Sequence, residues 1–156
     1  MYKRQLLSLF IVLSLARECK NSENHQEGTL PVEIEQEYEK ASLEYSAISR
    51  GSYYKVSISS QYISVQNDSQ AQAITKKCSD SDWSRIANAL NTITLEQIPE
   101  LKAPSEARFF DGAATAQLKI VIEDKTFESQ GFDHGKPPEA IAGLVKEILS
   151  LSENIE

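Results

Sequence analysis

"AATAQLKIVIED" (Ala113–Asp124) is the stretch on which the reading of this chain's fold turns. Ala114, Ala116, Leu118, Ile120 and Ile122 point one way, and Thr115, Gln117, Lys119 and Val121 point the other. That two-residue period belongs to a strand with one face in a core and one toward water. Asp124-Lys125 suits a two-residue turn, which returns the chain with Phe127 opposite Ile122 on the same face.

The same period recurs upstream. "SLEYSAI" (Ser42–Ile48) sets Leu43, Tyr45 and Ala47 inward, and Arg50-Gly51 supplies a turn. "SYYKVSIS" (Ser52–Ser59) alternates Tyr54, Val56 and Ile58 against Tyr53, Lys55 and Ser57, and "YISVQ" (Tyr62–Gln66) follows. A weaker strand is expected at Ala73–Lys77.

Two stretches change to the helical period. In "CSDSDWSRIANALNTI" (Cys78–Ile93), Ser79 fits the N-cap and Asp82 the N3 position, and Asp80 and Asp82 put negative charge at the helix start. Cys78 and Trp83 then occupy the two places of a hydrophobic staple, which predicts a buried structural thiol. The second helix is "KPPEAIAGLVKEILSL" (Lys136–Leu151), with Pro137 or Pro138 at its first position and Ile141, Leu144, Val145 and Ile148 as its stripe. Gly143 is expected to mark a close approach to the sheet. Between the helix and the hairpin, "TLEQIPELKAPSEARFF" (Thr94–Phe110) reads as a long loop packed down by its own apolar side chains. The expected fold class is α+β: an antiparallel sheet of about 4–6 strands built from hairpins, with two helices (80–94 and 137–151) on one face.

The chain has 156 residues, 40% of them hydrophobic and 25% charged, with a net charge of -7. Such a length makes one domain. Past residue 18 there are 13 basic and 22 acidic residues, so nucleic acid is excluded as a partner, because phosphate contacts need Lys and Arg. "LLSLFIVLSL" (Leu6–Leu15) covers roughly half of a ~30 Å hydrocarbon core. It follows Lys3 and Arg4 and reads as the apolar part of an export signal. Met1–Gln5 resemble the translation of a sequencing adapter. "SLA" (Ser14–Ala16) offers small residues for signal cleavage, while Cys19, preceded by Glu18, is a candidate lipidation site. The domain reading is therefore a signal peptide at 1–18, a flexible acidic tether at 19–41 and one α+β domain at 42–156. The expected locations are the periplasm, the outer membrane through a lipid anchor, or the secreted state. Contact with a membrane is expected only through the N-terminal signal or a lipid on Cys19.

Asp111, Asp133 and His134 are the one constellation able to carry chemistry. "DGA" precedes a strand and "FDHG" follows its hairpin partner, so the antiparallel topology brings both to one end of the sheet. Two carboxylates and an imidazole can bind a metal or small ligand. Asp111 before Gly112 and Asp133 before Gly135 also suit turns held by the side chain itself. No catalytic motif, phosphate-binding glycine loop or paired-cysteine zinc spacing occurs, so neither enzymatic activity nor a cofactor is expected. The expected function is a non-catalytic envelope protein, a binding or accessory module for an unknown envelope protein or ligand. Its contact surface would be the polar sheet face or the 94–110 loop. The alternative is a metal- or ligand-binding module using Asp111, Asp133 and His134.

"SRGSYYKVSIS" (Ser49–Ser59), "KKCSDSDW" (Lys76–Trp83), "DGAATAQLKI" (Asp111–Ile120) and "FDHGKPPEAIAGLV" (Phe132–Val145), behind an export signal, resemble small lipoproteins of Gram-negative bacteria that carry a domain of unknown function. The likeness covers residues 42–151 and implies an envelope location without assigning a catalytic residue.

Overall fold

The computed structural model of the chain describes residues 38–153 and 155. The segment read as an export signal, Cys19 and most of the acidic segment lie outside the described residues. β1 (Ser42–Ile48), β2 (Tyr53–Ser59), β3 (Tyr62–Gln66) and β4 (Ile74–Lys77) form a meander. They are followed by α1 (Asp80–Leu90), β5 (Thr115–Ile122), β6 (Lys125–Glu128), β7 (Phe132–Asp133) and α2 (Glu139–Ser152). The result is one open antiparallel sheet in the order β4-β3-β2-β1-β5-β6, with β7 also on β5.

β1 lies at the centre because its inward residues find apolar partners on both sides. Leu43 stands opposite Ile58 and Ile120, Tyr45 opposite Val56 and Leu118, and Ala47 opposite Tyr54 and Ala116. A slip of one residue would turn all three to water, so the register is strongly specified. Trp83, Ile86, Ala87 and Leu90 of α1 cover this face with Ile141, Leu144, Val145, Ile148 and Leu151 of α2. Tyr38 and Ala41 are buried in the same cluster, so the packed unit begins ahead of Ser42. The opposite sheet face carries Glu44, Ser46, Lys55, Ser57 and Lys119, with a 2.7 Å ion pair from Lys55 to Glu44. Among the described residues, no helix is long and apolar enough to cross a membrane.

Ser79 caps α1 as its sequence position predicts, accepting the Asp82 amide at 3.1 Å. Ser79→Ala should cost about 1 kcal/mol, read as a lower denaturant midpoint with an unchanged slope. Cys78 is buried, and burial followed by the negative charge of Asp82 pushes its thiol up to about 11. The helix N-terminus favours a thiolate, but burial wins, and the group is an inert core thiol at neutral pH.

Four details depart from expectation. α1 ends at Leu90 with Asn91 as its C-cap, so the helix stops short of residue 94. Pro138 is the N-cap of α2, at φ -52 and ψ 141, one place before the first helical position. Gly143 has open space where a side chain would stand, so no close approach requires it. The hairpin turn is Glu123-Asp124, with Glu123 at φ 52, and Phe127 pairs with Ile120 while Ile122 pairs with Lys125. The face was legible from the alternation. The register was not, because a shift of two residues leaves every side chain on its own side.

β6 and β7 are two halves of one edge strand. On β5 only Gln117 and Leu118 separate the two pairings, while Ser129, Gln130 and Gly131 stand opposite them. This is a β-bulge with one extra residue. Ser129 fills the gap by donating its amide to the Leu118 carbonyl at 2.8 Å and accepting the Leu118 amide on its hydroxyl at 3.0 Å. The bulge resets the alternation, so Phe132 enters the core opposite Ala116 and Asp133 turns to the other side opposite Thr115.

Candidate interaction site: an aromatic turn held by Asp133

The 94–110 segment is ordered by two short 3₁₀ turns, Leu95–Glu100 and Ala107–Phe110. The first anchors on buried Ile98 and is tied to the bulge by Gln130, whose side-chain amide donates to the Pro99 carbonyl at 3.0 Å. The second is held from across the fold. The Asp133 side chain, in a residue 1% exposed, accepts the Ser105 hydroxyl at 2.6 Å and the Ala107 amide at 2.8 Å. It also accepts the Arg108 amide at 2.9 Å and the Arg108 guanidinium at 3.2 Å. Two of these donors are amides at the start of a helical turn, which have no partner within it. A carboxylate there also meets the favourable end of the turn's dipole.

Burial alone would raise the Asp133 pKa. The hydrogen bonds from Ser105, from the Arg108 and Ala107 amides and from the Arg108 side chain outweigh it and hold the carboxyl well below the usual carboxylate range. Asp133 is thus a structural anion whose oxygens are already occupied.

The held turn presents aromatic rings to water. Phe109 is 66% and Phe110 83% exposed, although both sit on an ordered segment. The Arg108 guanidinium lies 4.3 Å above the Phe109 ring centroid while also bonded to Asp133. The turn closes through the Gly112 amide, which donates to the Ala107 carbonyl at 2.9 Å, and through Asp111 in the left-handed region at φ 55. A side chain at Gly112 would press to 3.3 Å on that carbonyl, so glycine serves the close approach.

The topology does bring Asp111, Asp133 and His134 to one end of the sheet. They face different environments there. Asp133 is buried in the clamp, and Asp111 is exposed. His134 turns its Nδ1 to the Tyr45 hydroxyl at 2.8 Å and packs its ring against Tyr54. Burial pushes the Tyr45 hydroxyl up to about 12, so it keeps its proton at neutral pH. Among the described residues, no group of three or more His, Cys, Asp or Glu is placed to hold a metal ion. Cys19 lies outside the described residues.

Sequence reasoning pointed to the 94–110 loop but missed the clamp, which links Asp133 to residues 25 to 28 positions away. Phe109 and Phe110, expected with Ile98 and Leu101 to pack this loop down, are instead exposed, and of the four only Ile98 is fully buried. The fold and site together define an α+β protein with an ordered aromatic turn. Comparison with family profiles, curated proteins and solved structures gave no significant match.

Proposed function

We propose that this chain is a non-catalytic protein of the cell envelope, exported or lipid-tethered through its N-terminal segment, that works as a binding or accessory module. Its contact surface is the Phe109-Phe110 turn. The observation that carries this reading is the exposure of two phenylalanines on a segment fastened by a buried carboxylate. Ordered aromatic anchors are the residue type that dominates binding energy, and preorganisation removes the entropy that a mobile loop would lose on contact. The apolar run at Leu6–Leu15 supports export.

Expression of the full chain in a Gram-negative host tests the location. The expected product is an envelope-associated protein beginning at Arg17, or one bearing a diacylglyceryl mass on Cys19. A cytosolic protein retaining Met1 would sink that part of the reading. A photo-crosslinking residue in place of Phe110, in the same cells, tests the surface. It should give an adduct that the same group in place of Asn88, exposed on α1, does not. The surface assignment fails if the two positions give the same products or none.

A further inference from the structure

We propose that the end of the sheet bearing Phe109 and Phe110 docks on a bilayer containing phosphatidylethanolamine, with both rings entering the acyl-chain boundary and a headgroup seated between Arg50 and Asp111. The proposal rests on the reading of the aromatic turn as the contact surface and names what it contacts. It adds a membrane contact that the sequence alone did not suggest.

Beside the turn is a cleft of about 390 Å³, lined by residues 49–51 of the β1–β2 turn and by residues 111–114, with Arg50 and Asp111 as its charged members. Both charged residues are exposed, and none of the ion pairs among the described residues involves either. One free cation and one free anion across a small cleft complement a zwitterion. A guanidinium pairs with a phosphate through parallel N–H bonds, and a primary ammonium donates to a carboxylate. The ethanolamine phosphate headgroup carries both groups. An anionic bilayer fits less well, since the chain itself carries a net charge of -7.

The apolar part of the surface matches. Ile48, 47% exposed, stands at the same end of the sheet, next to Thr115. Arg108 does not resist immersion of the turn, because its charge is neutralised by Asp133. With aromatic side chains of about 150–250 Å² each, the exposed apolar patch is roughly 300–400 Å². That is about half of the ~800 Å² per partner that a stable protein interface buries. A bilayer has no such requirement.

The geometry allows a chain anchored at its N-terminus to touch the same membrane. The chain enters β1 at Ser42, the end opposite the turn, and β1 is about 23 Å long. From Cys19 to Tyr38 the chain reaches at most about 65 Å, enough to let the domain turn its aromatic end back to the membrane.

The test is Phe110→Trp in the full chain, reconstituted into vesicles of phosphatidylethanolamine and phosphatidylcholine. Trp83 is buried and gives a background that subtracts with the parent protein. The introduced indole should shift to the blue and be quenched by brominated acyl chains. Arg50→Gln or Asp111→Asn should each raise the lipid concentration for half-effect by about tenfold; asparagine suits the left-handed backbone at position 111. An indole that keeps its water-exposed emission overturns the proposal. So does an equal response in pure phosphatidylcholine, whose quaternary ammonium has no N–H for Asp111. A shift that follows protein concentration without lipid points to a second copy and overturns it as well. A cellular protein adduct at Phe110 without a vesicle response removes the lipid assignment and keeps the contact surface. Loss of both responses removes the surface too.

Discussion

Asp133→Ala should lower the melting temperature by roughly 10 °C or more and open the 105–111 segment to amide exchange. The substitution leaves the Ala107 and Arg108 amides and the Ser105 hydroxyl without their acceptor, and it takes the carboxylate from an Arg108 side chain that is only 11% exposed and keeps just the Ser105 carbonyl. Unpaired buried donors account for most of the loss, since each had exchanged water for the carboxylate. Asp133→Asn keeps the shape but offers one acceptor oxygen where two served, and should destabilise nearly as much. If exchange at 105–111 stays slow in both variants, the clamp is not what orders the turn.

The same group makes the turn acid-sensitive. Its folded pKa is depressed, so its contribution is fully present above the unfolded carboxyl value of about 3.9 and is lost as pH falls below it toward the low folded value. Exposure of the 105–111 amides should therefore grow below that pH in the parent protein. Asp133→Asn should lack this dependence.

Phe132→Ala should cost about 3–5 kcal/mol, read as a fall in the urea midpoint. Phe132 is fully buried, and its ring centroid lies 6.2 Å from that of Tyr45. It reaches that place only because the bulge at Ser129–Gly131 adds a residue to its strand. Deleting Gln130 alone removes the extra residue and leaves a straight ladder with Phe132 still opposite Ala116, so it should cost much less than Phe132→Ala. Deleting Gln130 and Gly131 together would set Phe132 opposite Gln117 on the water side and Asp133 opposite Ala116 in the core, breaking ring packing and clamp together. Equal stability of the two deletion variants would show that this residue count does not set the alternation.

Much of the sheet was legible because strand alternation is a local property. Tyr45, Val56, Ile63 and Leu118 each declare their face through neighbours two positions away, and all four are buried. Ser79 and Asp82 announced the start of α1 in the same local way. Turn and helix ends were less legible. Glu123 takes a positive φ with no glycine to mark it, and Pro138 satisfies two adjacent helix-start positions almost equally well. The candidate site was half legible. Topology predicted that Asp111 and Asp133 would share one end of the sheet, but no local pattern reveals that the partners of Asp133 are Ser105, Ala107 and Arg108.

Composition and period by themselves determined an acidic chain with one α+β core, its strand faces and its helix stripes. These follow from the hydrophobic effect acting on residues a few positions apart. Tertiary structure alone decided that β1 is central, that a bulge splits the edge strand, and that Asp133 holds an aromatic turn in water. Those outcomes depend on which distant groups satisfy each other's hydrogen bonds and fill each other's gaps. A buried carboxylate takes its role from the donors that surround it, and those donors meet only when the sheet has closed.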